Sequence, residues 1–417
     1  MTTAPQARRR VCVVGGSLGG LFAANLLHRA GWDVTVYERS ADELSGRGAG
    51  IVTHPELFSA LEQCGIPVDD SLGVHVTSRV TLAPDGSVLG RLDMAQVLTA
   101  WGRLYEVLHR ALPSELYCNG VNVVGVEDLP DGARLTFADG RSEVADVVVA
   151  ADGIRSTLRQ QLSPAVKPEY AGYIAWRGLV EECDLSLATR EAIFDKFAFC
   201  LPPREQMLGY PVAGPGNSVS VGERRFNFVW YRPAAEDTGL VDLLTDAAGK
   251  RFAGGIPPQS IRPDVILAMR EAADRVLAPQ FAEVIRHTAQ PFFQPIFDLC
   301  SPRLTFGHTV LLGDAAFVAR PHCGMGVTKA AGDAMALVRA LQAPVAVPQA
   351  LQAYDAERVA FGTAVVNHAR HLGAYMQAQI RTAAERKMAE RYRTPEAVMR
   401  ETASSRAFAL EPVAAPA

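Results

Sequence analysis

Apolar and polar residues at the start of the chain follow the order of a strand, a glycine turn, a helix and a second strand. Residues 11–14 are a short apolar run, and residues 18–30 carry leucine and phenylalanine at helical spacing. Gly31 is expected to end this helix, and residues 34–37 alternate as a strand. The sequence therefore opens with a βαβ unit, which is typical of α/β folds built on a parallel sheet.

The remaining pattern divides the chain into stretches of two kinds. Residues 76–92 predict a hairpin around a Pro-Asp-Gly turn, and helical spacing follows from residue 96 to residue 112. Residues 170–295 differ, because aromatic-rich strand patterns, prolines and loop residues replace the βα alternation. We therefore predict an α/β domain in three parts, a sheet-rich domain interleaved with it, and C-terminal helices with a tail: residues 8–72, 96–165 and 296–345, residues 73–95 and 166–295, and residues 346–417.

Composition removes several classes of protein from consideration. The 417 residues carry a net charge of −4, which gives no sign of a nucleic-acid partner. No stretch approaches the roughly 18 uninterrupted apolar residues of a membrane helix, so no membrane association is expected. Seven scattered cysteines without a C-x-x-C pair are typical of free thiols in a reducing cytoplasm, with neither disulfides nor a metal site.

A glycine-rich segment lies where the first strand meets the first helix. Its first glycine permits a tight turn, its last lets the helix pack closely on the strand, and the helix N-terminus offers N–H groups to a pyrophosphate. A serine replaces the middle glycine of the G-x-G-x-x-G fingerprint, which weakens the motif. The candidate dinucleotide-binding residues of this segment are Gly15, Ser17, Leu18 and Gly20.

Glu38 ends the second strand, at the place where a carboxylate holds a ribose diol in dinucleotide-binding domains. Arg39 follows directly, so a ligand with a 2′-phosphate remains an alternative for this site. A glycine turn that only packs a helix in some other α/β fold is a further alternative. The first motif alone does not decide among these interpretations.

Two later motifs narrow the choice. A buried strand leads into an Asp-Gly pair at Asp152, and Arg159 follows in the same segment. A second buried strand leads into a Gly-Asp pair at Asp314, and Pro321 follows it. With the glycine turn, the three motifs in this order resemble those of the FAD-dependent aromatic hydroxylases, the family of p-hydroxybenzoate hydroxylase, over about residues 10–360.

The resemblance implies a Rossmann-type domain with bound FAD and a role for each motif. Glu38 would hold the adenosine ribose, Asp314 the ribityl chain, and Asp152 with Arg159 would brace the loops around the pyrophosphate. The turn after Pro321 would bring backbone N–H groups to the flavin pyrimidine, and the helix that follows would point its positive end there. The residues of this turn are Gly324, Gly326 and Val327.

Local strings at residues 48–57, 170–178 and 320–322 are similar to the branch of this family that acts on N-heterocycles, including urate and 2,6-dihydroxypyridine hydroxylases. The resemblance implies hydroxylation of a small N-heteroaromatic or phenolic ring by O2, through a flavin hydroperoxide. The strings slightly favour urate, and thus purine degradation, over dihydroxypyridine or hydroxynicotinate. No second fingerprint shows whether NADH or NADPH reduces the flavin.

Candidates for the substrate site come from the sheet-rich domain and the Gly-Asp loop. We assign Tyr210 and His322 as catalytic, because a phenol can hydrogen-bond a ring oxygen and an imidazole exchanges protons near pH 7. Gln206 and Trp230 are assigned to amide-like recognition and stacking. Ordinary aromatic core is the alternative for Tyr210 and Trp230, and a structural loop histidine is the alternative for His322.

Other classes of protein use the same scaffold. A flavin oxidase or a non-enzymatic flavin-binding protein would share all three motifs. A flavin-dependent halogenase is disfavoured, because Trp176 is followed by Arg-Gly-Leu and not by the W-x-W-x-I-P signature. The sequence leaves a homodimer open.

Overall fold

The computed structural model describes residues 9–42, 44 and 50–405. The chain has an α/β fold in which a mostly parallel sheet lies beside a larger, mostly antiparallel sheet. Within the described residues, no helix is long and apolar enough to cross a membrane. Residues 406–417, at the end of the chain where a tail is predicted, and part of the string at residues 48–57 lie outside the described residues.

The mostly parallel sheet contains the predicted βαβ unit. Its central strands are short and fully buried, because a helix packs on one face and a small antiparallel sheet packs on the other. In order across the sheet, the strands are β16 (Thr305–Phe306), β17 (Thr309–Leu311), β10 (Val147–Ala150), β1 (Arg10–Val14), β2 (Asp33–Glu38) and β6 (Tyr117–Asn119). The small sheet consists of β7 (Val123–Leu129), β8 (Gly132–Phe137) and β9 (Ser142–Ala145).

Helices surround this sheet and extend beyond it. The first helix buries its leucines and Phe22 against the strands and ends just before Gly31, as the sequence predicts. The helices of this part are α1 (Leu18–Arg29), α2 (Pro55–Gln63), α3 (Trp101–Ala111), α4 (Thr157–Leu162), α9 (Gly326–Leu341) and α10 (Val347–Gly373).

The larger sheet is built from the aromatic-rich strands and the predicted hairpin. In order across the sheet, its strands are β18 (Phe317–Val318), β15 (Phe292–Cys300), β11 (Glu169–Glu181), β14 (Arg225–Pro233), β13 (Gln206–Val212), β12 (Lys196–Cys200), β4 (Val74–Leu82), β5 (Val88–Ala100) and β3 (Gly50–Val52).

The two faces of this larger sheet are covered by different parts of the chain. One face carries Trp176 and Trp230 and packs against the helix between β11 and β12 and the helices between β14 and β15. The other face carries Tyr173, Tyr210 and Tyr231 and packs against the C-terminal segment. The covering helices are α5 (Leu187–Ile193), α6 (Gly239–Leu243), α7 (Pro263–Val276) and α8 (Pro279–His287) on the first face, and α11 (Ala383–Tyr392) and α12 (Pro395–Glu401) on the second.

Two predicted elements differ from the structure. The helix expected from residue 96 begins only at Trp101, because β5 continues to Ala100 and pairs there with Gly50 of β3. Helical spacing over residues 347–390 predicts a continuous helical stretch, whereas in the structure this stretch is interrupted after Gly373. A Cβ atom at Gly373 would lie 2.3 Å from the Tyr173 hydroxyl, so the chain approaches the larger sheet closely at this point.

Candidate active site

The loops that follow β1, β10 and β17 lie side by side at one edge of the mostly parallel sheet. β10 pairs in parallel with both neighbours, and Ala150 lies opposite Val14 on one side and Leu311 on the other. All three strands end at this level, so the three predicted motifs emerge together. The carboxyl edge of such a sheet is where α/β proteins bind nucleotides.

The first loop is closely packed around its glycines. Gly15 has a φ of +105°, and a Cβ atom there would lie 2.4 Å from the carbonyl oxygen of Ala151. A Cβ atom on Gly20 would lie 1.9 Å from the carbonyl oxygen of Gly15, so α1 packs this closely only with glycine. Ser17 is the N-cap of α1, and the buried Leu18 presents only its backbone. The backbone N–H groups in the first turn of α1 have no carbonyl acceptor within the helix and lie next to this loop.

Glu38 lies beside this turn at the end of β2. Its buried carboxylate accepts hydrogen bonds from the backbone N–H groups of Gly16 and Ser40, both at 2.8 Å. A cavity of about 200 Å³ opens next to it, and the exposed Arg39 lies at its edge. The lining residues include Gly15, Ser17, Tyr37, Glu38, Arg39, Trp101, Asn122 and Asp152.

Asp152 and Arg159 join the second loop to its neighbours. The Asp152 Oδ2 atom accepts from the Thr157 N–H group at 2.8 Å, and its buried Oδ1 atom has no partner among the described residues. Burial raises the pKa of this carboxyl group. The buried Arg159 guanidinium donates to the carbonyl oxygens of Ile154 at 2.6 Å and Ala315 at 3.1 Å. Arg159 therefore ties the Asp-Gly loop to the Gly-Asp loop.

The third loop presents Asp314 on a rigid support. Asp314 is exposed, whereas Gly313 before it is buried and held by charged side chains. Lys329 donates to the Gly313 carbonyl oxygen at 2.8 Å, and Asp333 accepts from the Gly313 N–H group at 3.1 Å. Arg358 donates to Asp333 at 2.8 Å. This buried ionic cluster fixes the backbone and leaves the Asp314 carboxylate accessible.

The same loop continues through Pro321 to the start of α9. Gly324 has a φ of +66°, and a Cβ atom there would lie 3.0 Å from Ala403. Helix α9 begins at the exposed Gly326, followed by the half-buried Val327, and is 16 residues long. Its N-terminus therefore offers N–H groups and the positive end of a helix dipole to negative charge.

FAD fits the groups that these loops bring together. Glu38 and Asp314 supply carboxylates for two separate sets of hydroxyl groups, and the N-terminus of α1 between them suits a pyrophosphate. The unpartnered Oδ1 atom of Asp152 also lies at this cavity. In the part of the chain that the structure describes, no group of three or more His, Cys, Asp or Glu residues is placed to hold a metal ion.

His322 lies in a buried hydrogen-bond chain. Its Nε2 atom is 2.8 Å from the Tyr173 hydroxyl, and its Nδ1 atom is 3.1 Å from the Gln206 Oε1 atom. Because an amide oxygen only accepts, we assign the imidazole proton to Nδ1, and Nε2 then accepts from Tyr173. Burial lowers the pKa of His322 well below its usual value, so the ring is neutral. Protein groups thus occupy both ring nitrogens of His322. The sequence predicts that this imidazole exchanges protons with a ligand, but in this arrangement neither nitrogen is free to do so.

Tyr210 lies on the face of the larger sheet that also carries Tyr173 and Tyr231, and it pairs with Asn227 of β14. Its ring packs edge-on against Phe197 at a centroid distance of 4.9 Å. A Cβ atom at Gly50 would lie 2.5 Å from the Tyr210 ring, so β3 passes directly over it. Burial raises the pKa of Tyr210, so its hydroxyl group stays protonated and can donate.

Trp230 lies on the opposite face of the larger sheet. It is fully buried in the core beneath α7 and α8, and its Nε1–H group donates to Glu205 at 2.9 Å. The Arg232 guanidinium covers its ring at 4.5 Å from the centroid. Strand alternation thus places Trp230 on the face opposite Gln206 and Tyr210, the residues with which the sequence predicts that it shares the substrate site.

Several polar side chains at these places were not assigned from the sequence. Tyr173 and Arg177 alternate with the buried Ile174 and Trp176, and this period of two places them on the face that carries Tyr210. The period of two in the sequence could therefore have predicted that Tyr173 and Arg177 share a face of the sheet. A further signal was the polar Asn227 between Phe226 and Phe228, and the cavity residue Asn122 had no signal of its own.

Comparison with known proteins agrees with this arrangement. The chain matches an FAD binding domain family over residues 8–75 and 296–369, and an FAD binding domain-like family over residues 170–298. The 2,6-dihydroxypyridine 3-monooxygenase of Paenarthrobacter nicotinovorans is 31% identical over 369 residues, which are 88% of this chain and 91% of that protein.

Solved structures give the same result. The 2,6-dihydroxypyridine-3-hydroxylase from Arthrobacter nicotinovorans has a TM-score of 0.83 and 31% identity, covering 90% of this chain and 94% of that one. HpxO of Klebsiella pneumoniae, solved with FAD and uric acid, has a TM-score of 0.75 and 22% identity, covering 95% and 94%. At this identity, the second likeness shows the fold alone.

The resemblance found in the three motifs is therefore confirmed at the level of the whole chain. The α/β fold, the FAD-binding family matches and the 31% identity to a named monooxygenase all agree with it. The protein belongs to the FAD-dependent aromatic hydroxylases and is an FAD-dependent monooxygenase.

Proposed function

We propose that the protein hydroxylates a small N-heteroaromatic ring of the hydroxypyridine class, with O2 and NADH or NADPH as co-substrates. The observation that carries this proposal is the polar face of the larger sheet, on which Gln206, Tyr210, Asn227 and Arg177 occur together. We call this set the polar face. A small flat ring with oxygen and nitrogen atoms at its edge suits such a face, because each atom can meet a donor or acceptor.

The comparisons support pyridines ahead of purines. The relative named for 2,6-dihydroxypyridine is 31% identical to this chain, whereas the protein solved with uric acid is 22% identical. The sequence strings slightly favoured urate. We therefore place a dihydroxypyridine first and retain urate as the second candidate in the test.

Each group of the chain has a defined part in this proposal. FAD, once reduced by the nicotinamide cofactor, supplies the activation of oxygen. Glu38 and Asp314 hold its hydroxyl groups, and the N-terminus of α9 stabilises negative charge near its ring. Tyr210 donates a hydrogen bond to a ring oxygen of the substrate. His322 acts as a positioning residue, because its Nδ1–H group fixes the amide oxygen of Gln206 and turns the amide NH2 group toward the substrate.

The C-terminal segment, residues 399–404, covers the site and excludes water from it. Ala403 donates its N–H group to the His322 carbonyl oxygen at 2.7 Å, and residues 402–404 are buried. The buried Arg79 donates to the carbonyl oxygens of Met399 at 2.7 Å and Ala403 at 3.0 Å. A closed site of this kind favours transfer of oxygen to the ring over release of hydrogen peroxide.

The test is consumption of NADH and NADPH by the FAD-loaded protein, with peroxide and hydroxylated product measured together. The rings are 2,6-dihydroxypyridine, 6-hydroxynicotinate, urate and salicylate. We expect 2,6-dihydroxypyridine to stimulate consumption with little peroxide. Peroxide with every ring would identify an oxidase, and no consumption would identify a flavin-binding protein. A clear preference for urate would reverse the assignment of the substrate.

A further inference from the structure

Arg177 is a half-buried arginine whose guanidinium Nε atom has no hydrogen-bond partner within the described residues. It lies on β11 opposite Val229, on the polar face. Its Nε atom is buried, and no residue of the described ranges accepts a hydrogen bond from it. Arg320, in contrast, pairs with Asp298 at 2.8 Å. A buried donor without an acceptor is costly, so the unpartnered Nε–H group of Arg177 indicates a ligand that supplies the acceptor.

Asn227 presents a second unused donor beside it. Its Oδ1 atom accepts the Gly50 N–H group at 3.0 Å, which fixes the orientation of the amide. Its Nδ2 atom is buried and has no partner within the described residues. Arg177 lies opposite Val229, two positions along β14 from Asn227, so the two residues are diagonal neighbours roughly 7–8 Å apart. One small ring can reach both donors.

The groups around Arg177 do not neutralise it. Burial raises the pKa values of Tyr210 and Tyr231, and the charge of Arg177 opposes this rise in both. Burial also lowers the pKa of His322, and the charges of Arg320 and Arg177 lower it further. All three side chains are therefore neutral at pH 7, and the polar face carries a net positive charge at Arg177.

We infer that Arg177 and Asn227 select the ionised form of the ring, with an anionic oxygen held by Arg177 and an adjacent acceptor atom held by Asn227. This inference rests on the proposed function and specifies the charge of its substrate. A ring bound as its anion is more electron-rich, so the carbon atoms next to the anionic oxygen are better nucleophiles. Arg177 is then the residue that distinguishes an acidic hydroxylated N-heterocycle from a neutral ring of the same size.

The experiment measures binding separately from turnover. The FAD-loaded protein, without NADH or NADPH, is titrated with 2,6-dihydroxypyridine and with the neutral 2,6-dimethoxypyridine, and the change in flavin absorbance gives each Kd. In Arg177→Met, we expect the Kd for the dihydroxy ring to rise about 10- to 100-fold and the Kd for the dimethoxy ring to change less than about twofold. Arg177→Lys should recover part of the loss, because it keeps the charge without the forked geometry.

Asn227→Asp gives an independent check with little change in shape. The aspartate can still accept the Gly50 N–H group, but it replaces the donating NH2 group with a negative charge. We expect it to weaken binding of the dihydroxy ring at least as much as Arg177→Met does. The matched control is Arg225→Met, because Arg225 lies on the neighbouring strand β14 and already pairs with Glu181 at 2.7 Å. This control should leave both Kd values unchanged.

The outcomes separate the inference from the proposed function. Hydroxylation of the ring by the parent protein together with an unchanged Kd in Arg177→Met would overturn the inference and leave the function standing. Equal weakening of both rings would also overturn it, because a charge-specific contact does not act on a neutral ring. Failure of the parent protein to bind or turn over any ring of the panel would overturn the proposed function, and this inference with it.

Discussion

The Nδ1 atom of His322 lies 3.1 Å from the Oε1 atom of Gln206, and the imidazole joins that amide to the Tyr173 hydroxyl on its other side. Both residues were picked out from the sequence as separate contacts with the substrate. In the structure they form one unit in which the histidine holds the glutamine. Both side chains are buried.

We expect His322→Ala to reduce the ratio of hydroxylated product to NAD(P)H consumed while FAD binding is retained. Loss of the hydrogen bond that holds Gln206 corresponds to about 1 kcal/mol, or roughly a fivefold fall in kcat/KM. Because the imidazole is neutral, neither the parent nor the variant should show a kinetic pKa near 6.5 that arises from this residue. His75→Ala, at an exposed histidine, is the control. A kinetic pKa near 6.5 that disappears in His322→Ala would show direct proton transfer instead.

Acid should weaken the fold through buried neutral histidines. Burial lowers the pKa of His54 from 6.5 to about 4, and the charge of Arg79 adds to this effect. The unfolded chain therefore binds more protons below pH 6.5, so the stabilisation is complete above that pH and is lost as the pH falls toward 4. At pH 5.5 the loss for this group is about 1.4 kcal/mol.

The measurement is thermal unfolding of the parent and of His54→Gln at pH 7.5 and pH 5.5. Glutamine can still hydrogen-bond Thr328, which is 2.9 Å from the His54 Nδ1 atom. We expect the variant to lose less stability on acidification than the parent. An equal loss in both proteins would show that His54 takes up no proton on unfolding.

Asp314→Ala should weaken FAD binding. A charge-assisted hydrogen bond contributes roughly 1.5–3 kcal/mol, so the Kd for FAD should rise by about one to two decades. The rest of the loop should keep its shape, because Lys329 and Asp333 hold the Gly313 backbone independently. Retention of FAD through gel filtration is compared with Asp237→Ala, an exposed position outside the site. Equal retention in both variants would remove Asp314 from the cofactor site.

Gly20→Ala and Gly19→Ala form a matched pair in the first turns of α1. A Cβ atom at Gly20 would lie 1.9 Å from a backbone carbonyl oxygen, which cannot move without opening the turn. A Cβ atom at Gly19 would meet the flexible Leu312 side chain at 3.3 Å. We expect Gly20→Ala to lose FAD and at least about 1–3 kcal/mol of stability, and Gly19→Ala to stay within about 1 kcal/mol of the parent. Similar effects at both positions would contradict the close contact at Gly20.

Tyr210→Phe and Trp230→Phe test the two faces of the larger sheet. Tyr210→Phe removes a buried donor on the polar face, so product per NAD(P)H should fall while peroxide rises. Trp230→Phe removes the Glu205 hydrogen bond on the opposite face, so it should lower the melting temperature and leave this ratio unchanged. A fall in the ratio for Trp230→Phe but not for Tyr210→Phe would show that the substrate binds on the face of Trp230 and would contradict the proposed site.

The nucleotide-binding half was predictable because its requirements are local. A glycine turn, a carboxylate at a strand end and a polar loop after a buried strand each appear within a few residues of sequence. Parallel pairing then brings the strand ends to one edge, as Ala150 between Val14 and Leu311 demonstrates. The roles proposed for Glu38 and Asp314 rest on a resemblance that needs only these short motifs.

The substrate half was only partly predictable because its geometry depends on pairing between distant strands. Whether Trp230 or Asn227 faces the site depends on the register of β14 with β13, and a shift by one residue exchanges the two faces. The sequence alone does not determine which residues of β13 and β14 pair with each other. The lack of a partner for the Arg177 Nε atom among the described residues is likewise a property of the folded structure, because it depends on which acceptor groups lie near it.

The central place of β10 between β1 and β17 also governs when the protein can acquire its cofactor. During synthesis, β1 and β10 emerge early, but β17 and the start of α9 emerge only after most of the chain has been made. A nascent chain therefore lacks one side of the cofactor cradle until residue 326 has left the ribosome. FAD bound across these loops would link the first and last parts of the mostly parallel sheet, and a ligand that binds only the folded chain stabilises it against unfolding.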